Sequence, residues 1–232
     1  GEERPACHIP TPHPPLPLRS PMSEPTPPPP LSQPLIKLAV IGSAGRTPED
    51  RRALYKPQAM WSWPREVLAF VQKQKLKPPR VQLVSGGSAF ADHVAVEIFL
   101  TVSPFGEDGE AFAGLTLHLP TPFDLETKRF VGDRSIATAL NVLHDNYQRV
   151  VGHSSLEDLA LAIRHPLCTV VIHPGGFLDR DRAIAADADY MIAFSGADGQ
   201  APTKGSGTEF TWRHAPQKCI KKCVPIKHER AF

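Results

Sequence analysis

Apolar residues gather in short continuous runs, each closed by a turn signal, and the runs alternate with longer stretches of helical spacing. The first run, Leu35-Ile-Lys-Leu-Ala-Val-Ile41, is closed by Gly42-Ser-Ala-Gly45 and predicts a buried strand ending in a tight turn. Thr47-Pro-Glu-Asp50 then offers an N-cap, a proline at the first helical position and acids in the first turn. That helix is interrupted near Pro57, and a second begins after Trp63-Pro64. Val81 to Val84 is the next strand, closed by Ser85-Gly86-Gly87, and Phe90 to Leu100 has helical spacing. Gly114 to Leu119 predicts a third strand, residues 120–135 a loop, and Ile136 to Val151 a helix; Ser154-Ser-Leu-Glu157 is a capping box that opens another. Cys168 to Ile172 and Tyr190 to Phe194 are strands on either side of a short helix, Asp179 to Asp187. A glycine-rich loop, 196–207, leads into a helix from Thr208 to about His214, and Cys223 to Ile226 is a last edge strand, where a proline is tolerated. Strands alternating with helices predict an α/β domain: a Rossmann-like, doubly wound, mostly parallel sheet with helices on both faces.

Proline changes this picture at one end. Thirteen of the 26 prolines fall in residues 1–34, a stretch without periodic apolar pattern, which predicts an extended, disordered proline-rich tail ahead of one folded domain at 35–232. The tail lacks the basic start and apolar middle of a signal peptide, and Met22, followed by Ser23 and Glu24, is a candidate native start. No apolar run approaches the ~18 residues of a membrane span. The net charge of +2 argues against a chain-wide nucleic-acid surface, and four scattered cysteines (Cys7, Cys168, Cys219, Cys223) fit a reducing, cytoplasmic setting better than a disulfide scaffold.

In a doubly wound sheet, ligands collect beyond the carboxyl ends of the strands. Three glycine-bearing turns lie there: Gly42-Ser43-Ala44-Gly45-Arg46, Ser85-Gly86-Gly87-Ser88 and Lys204-Gly205-Ser206-Gly207-Thr208. Glycine lets backbone come close to a ligand, and a helix N-terminus just downstream adds unpaired donors and partial positive charge, which suits a phosphate. Ser206 and Thr208 add hydroxyls, and Arg46 a fork of donors. The chain has neither a dinucleotide Gly-x-Gly-x-x-Gly nor a Gly-Lys pair for a Walker loop, so neither NAD chemistry nor ATP hydrolysis is indicated, and no cofactor is expected.

Ala39-Val-Ile-Gly-Ser-Ala-Gly-Arg46 and Leu83-Val-Ser-Gly-Gly-Ser-Ala-Phe-Ala-Asp92 resemble the first two strand-turn units of the SMF/DprA–Lonely Guy (SLOG) superfamily. Leu178-Asp-Arg-Asp-Arg-Ala-Ile184, the strand Ala188 to Phe194 and Gly205-Ser-Gly-Thr208 are similar to its final unit, so the resemblance spans most of residues 36–226. It implies a Rossmann-like domain binding a nucleotide or nucleotide-derived ligand. Lonely Guy members hydrolyse the N-glycosidic bond of nucleoside 5′-monophosphates, and DNA-processing members bind single-stranded DNA. In Lonely Guy enzymes a catalytic Glu follows the phosphate-binding Gly-Thr by three residues; that position here is Thr211, and the nearby acid is Glu209.

Glycosidic cleavage needs a carboxylate to stabilise an oxocarbenium-like centre or activate water, which makes Asp92 and Glu209 the candidate catalytic acids. Arg180 and Arg182 are candidates for phosphate or ribose, beside Gly42, Ser43, Arg46, Ser85, Gly86, Gly87, Gly205, Ser206, Gly207 and Thr208. Three readings stand together: a binding module or sensor, a nucleotide N-glycosidase, and a single-strand DNA binder, with a homo-oligomer compatible with each. The basic C-terminus (Lys218, Lys221, Lys222, Lys227, Arg230) lacks interleaved aromatics, so a nucleic-acid partner is not favoured. Trp212 is read as a core residue or a base-stacking platform. His214, Cys219, Cys223 and His228 have admissible zinc spacing, yet Cys223 falls in a strand, and no metal is expected.

Overall fold

The computed structural model describes residues 34–44, 54, 62–101, 111–196 and 199–226. The helix start at 47–50, the interruption near Pro57, Arg46, His228 and the tail lie outside the described residues. Among the described residues there are eight strands: β1 (Ile36–Gly42), β2 (Val81–Ser85), β3 (Gly114–Leu119), β4 (Phe123–Asp124), β5 (Arg129–Phe130), β6 (Cys168–Ile172), β7 (Tyr190–Ser195) and β8 (Ile220–Pro225). Between them run α1 (Trp63–Lys73), α2 (His93–Thr101), α3 (Arg134–Val151), α4 (Ser155–Arg164), α5 (Phe177–Asp187) and α6 (Gly207–His214). Six strands form one parallel sheet in the order β6-β3-β2-β1-β7-β8. This is the α/β, Rossmann-like arrangement the alternation of elements predicts.

The centre of the sheet is covered on both faces, which is why β1 is apolar and buried from Leu38 to Ile41, while β6 at the edge is largely exposed. Successive side chains still point to opposite sides. Leu38 and Val40 enter a large core with Leu83, Leu115, Leu117 and Phe194 beneath α1 to α4; Ala39 and Ile41 enter a smaller one with Val84, Met191 and Ala193 beneath α5. Trp63 stacks on Phe194 with ring centroids 4.7 Å apart, and the proline after it occupies the first turn of α1, where its missing N–H leaves no bond unmade.

Helix ends follow their local chemistry. Asp133 accepts from the N–H groups of Ser135 and Ile136 at the start of α3, and Gly152, at φ 78°, closes it in the left-handed conformation. Half of the predicted capping box forms at α4: Ser154 accepts from the Glu157 N–H at 3.3 Å, while the Glu157 carboxylate pairs with Lys128. Several boundaries differ from the sequence reading: α2 begins at His93 rather than Phe90, and α5 at Phe177 rather than Asp179. Residues 120–135 are not all loop: β4 and β5 form a small antiparallel hairpin whose turn is held by Asp124, and α3 begins at Arg134. The last strand starts three residues early, at Ile220, because the stems of Lys221 and Lys222 are half-buried along the edge of the sheet. Among the described residues no helix is long and apolar enough to cross a membrane.

Candidate functional site

The strand order reverses between β1 and β7: from β1 the chain moves out to β2, β3 and β6, then returns to lay β7 on the other side. The ends of these two strands diverge into different loops, and a crevice opens between them. It has a volume of about 210 Å³. Gly42, Ser43 and Ala44 line it from β1, Ser88 and Asp92 from the turn after β2, Arg180 and Asp181 from α5, and Thr203 to Thr208 from the loop that enters α6. A pit of about 20 Å³ continues beneath it, towards Ile184 and Thr211.

The backbone here is tightly constrained. A Cβ on Gly42 would lie 2.4 Å from the Ala91 Cβ and 2.5 Å from the Phe194 carbonyl oxygen. Neither neighbour can swing aside, so Gly42→Ala should cost about 2 kcal/mol by overpacking. Chemical denaturation checks this, and an unchanged midpoint would show that the strand ends can separate. Gly87 sits at φ 64°, and Ser85, fully buried, donates to the Asp92 carbonyl at 2.7 Å while accepting from the Gly87 N–H at 3.2 Å. Ser85 and Gly87 therefore shape the turn from within, and the Gly86 carbonyl accepts from Arg180 at 3.2 Å. On the opposite wall, Ser195 accepts from the Thr203 N–H at 2.8 Å, tying the glycine-rich loop to the end of β7. Ser206 is the N-cap of α6 and accepts from the Glu209 N–H at 3.0 Å. The N–H groups of Gly207 and Thr208, the first two helical residues, have no intrahelical acceptor and belong to the cleft wall.

Beneath the cleft lies a buried charge cluster. Arg180 donates through Nε and Nη2 to Asp181 Oδ1, at 2.9 and 2.7 Å, and its Nη1 lies 3.7 Å from Asp92 Oδ2. All three side chains are less than a tenth exposed. Burial pushes the Asp92 pKa from the usual 3.8 up to about 6; Arg180 pulls against this, Asp181 adds to it, and the N–H groups of Ser88 and Gly42 donate to the carboxylate. A desolvated carboxyl that titrates near neutrality at a cleft is suited to accept a hydrogen bond from a sugar hydroxyl, or to exchange a proton with a bound ligand.

Of the residues singled out in the sequence, Gly42, Ser43, Asp92, Arg180, Gly205, Ser206, Gly207 and Thr208 line the cleft. Glu209 and Arg182 do not. Glu209 pairs with Arg213 at 3.4 Å, and Arg182 is exposed, pairs with Asp179 at 3.0 Å and lies over the Phe210 ring. Ser88 and Lys204, members of two of the glycine turns, line the cleft as well, and Asp181 and Thr203 join the site without having been candidates. Asp181 had a detectable signal: it shares the buried stripe of α5 with Arg180, Ile184 and Ala185, spaced as one helical face. Trp212 packs against the smaller core, with Lys221 Nζ 5.3 Å from its ring, and Lys222 pairs with Glu66, so part of the C-terminal basic charge is engaged within the fold. His214 hydrogen-bonds the Phe210 carbonyl, and among the described residues it forms no ligand cluster with Cys219 and Cys223.

The chain is 36% identical over 162 residues to "Uncharacterized protein R261" of Acanthamoeba polyphaga mimivirus, an alignment covering 69% of this chain and 82% of the viral protein. The chain belongs to the family of that viral protein. No family model and no solved structure matches it.

Proposed function

We propose that the protein binds a nucleotide or nucleotide-derived ligand in the cleft between β1 and β7. The observation that carries this reading is the convergence of the turns after β1, β2 and β7 on one crevice at the reversal of strand order, with the N-terminus of α6 opening into it. The free N–H groups of Gly207 and Thr208, the helix dipole and the Lys204 ammonium suit a phosphate. Asp92, ionised above about pH 6, suits a ribose hydroxyl. The cleft is smaller than the roughly 300–1,000 Å³ of pockets that enclose a drug-sized ligand, so it takes the sugar-phosphate part and leaves the base towards the mouth. The similarity of the three turns to SLOG units supports the same assignment.

A second reading, N-glycosidic hydrolysis of a nucleoside monophosphate, is favoured by one observation: a carboxyl with its pKa raised to about 6 by burial lies in the cleft. In that reading Asp92, rather than Glu209, is the acid that faces the sugar. The test is a thermal-shift panel on the full chain with nucleoside mono- and diphosphates, cyclic nucleotides and ADP-ribose-type ligands, with base release followed chromatographically. A ligand at about 100 times its Kd should stabilise the fold by about 2.7 kcal/mol. Lys204→Ala, at an exposed position, should weaken binding without changing the unliganded Tm. Release of free base, abolished in Asp92→Asn, identifies the hydrolase; a shift without release identifies a sensor. A folded sample indifferent to every ligand overturns the assignment.

A further inference from the structure

Asp92 faces the cleft, and the next residue, His93, points to the other side of α2 and into a second cluster. His93 Nε2 lies 2.9 Å from Asp158 Oδ2, and His153 Nε2 lies 2.5 Å from the same oxygen. The three ligating atoms are all within 4.8 Å of one another. We propose that His93, His153 and Asp158 form a binding site for a divalent first-row transition ion, with zinc the best-matched probe.

Two other features support the assignment. First, the cluster borders a separate solvent-open cavity of about 370 Å³, to whose lining His153 and Asp158 contribute together with Glu97 and Tyr147. Its described lining contains two carboxylates and neither Lys nor Arg, so a dication supplies the charge the walls lack. Glu97 stands one helical turn beyond His93 on the same face of α2, placed to take a fourth position or to hold a metal-bound water. Second, His93 is turned to the cluster through one ring nitrogen alone. His144, equally buried, has both ring nitrogens engaged, by Ser155 Oγ and the Gly87 carbonyl. His93 has Nε2 aimed at the cluster, while its Nδ1 has no hydrogen-bond partner among the described residues.

Two imidazoles and a carboxylate select zinc-like ions over magnesium or calcium, which prefer all-oxygen sites. Metal–ligand bonds of about 2.0–2.2 Å place tetrahedral ligand atoms roughly 3.3–3.6 Å apart, so the present contacts need open by no more than about an ångström. The residues come from α2, from the turn after α3 and from the first turns of α4. No spacing within one helix advertises them. The site is open at one side and is independent of the β1–β7 cleft.

Titration of the full, metal-stripped chain with zinc by calorimetry, and with cobalt by visible absorption, tests the assignment. One equivalent should bind with micromolar or tighter affinity, raise the Tm, and give cobalt bands of a low-coordinate site with imidazole nitrogen. His153→Ala, at a half-exposed side chain, should weaken this site by more than the roughly 10–100-fold that follows loss of a group merely supporting a ligand. Asp158→Asn should do the same, and His153→Ala decides alone should that variant fail to fold. His214→Ala should bind as the parent does. Zinc binding unaffected by His153→Ala, magnesium binding as tight as zinc binding, or no bound equivalent at micromolar zinc would each overturn the proposal.

Discussion

Arg180→Ala should lower the stability of the fold by about 3–5 kcal/mol at pH 7.5, the largest effect expected of any single change at the cleft. The guanidinium is the partner of two buried carboxylates, and its removal leaves both without a counter-charge. Hydrogen bonds fail with it, because Arg180 also satisfies the Gly86 carbonyl. The loss should shrink at pH 5. Arg180 is what holds the Asp92 pKa down against burial, so in the variant Asp92 protonates more readily and one of the two stranded charges disappears. Denaturant unfolding at the two pH values checks both statements. A loss below about 1 kcal/mol at pH 7.5 would mean that water reaches the cluster and that the burial described above is relieved in solution.

Asp92→Asn should have the opposite sign. The carboxyl has a folded pKa of about 6 against the usual 3.8, so between these values the folded chain holds more protons than the unfolded one. The contribution of this group to stability is complete below about pH 4 and is lost as pH rises through about 6. At pH 7.5 the ionised Asp92 therefore weakens the fold by an amount on the order of 3 kcal/mol, and the amide, which keeps the shape without the charge, should recover much of it. Arg180 keeps Asp181 as a partner in this variant, so no new charge is stranded. The variant should also lose the part of the pH dependence that falls between about 4 and 6. A less stable Asp92→Asn protein at pH 7.5 would refute this account, because it would make the Asp92–Arg180 contact net stabilising.

What the sequence discloses, and what it hides, can be seen element by element. The buried strands are legible because each is a short apolar run bounded by glycine, and the three turns are legible because glycine is needed where β1 and β7 approach at Gly42 and where the chain turns at Gly87. The fate of charged residues is not legible in the same way. Asp179-Arg180-Asp181-Arg182 reads as a uniformly charged stretch, yet the first and last are exposed while the middle two are buried. That division follows from the phase of α5, fixed by Ile184 and Ala185, and from partners supplied by the turn after β2, about ninety residues earlier. Glu209 is adjacent to Thr208 in sequence, but its position on α6 turns the side chain towards Arg213. The hairpin of β4 and β5 is hidden for another reason: two-residue strands carry no period. The histidine and aspartate cluster is hidden because its members are up to 65 residues apart and meet only when α2 packs on α4.

The strand order also sets a timetable for synthesis. β1 is made first, yet the backbone N–H of Lys37 bonds the Asp189 carboxylate 152 residues later, and β1 waits for β7 on one side throughout translation. At roughly 5–20 residues per second, about 8–30 seconds separate the two strands on the ribosome. During that interval the sheet can grow from β1 through β2 and β3 to β6, while the open side of β1 presents bare N–H and C=O groups to the surroundings. Chains interrupted before β7 should thus be held by chaperones or degraded. The crevice between β1 and β7 takes shape only once β7 and α6 have emerged, so its walls are among the last parts of the described fold to be assembled.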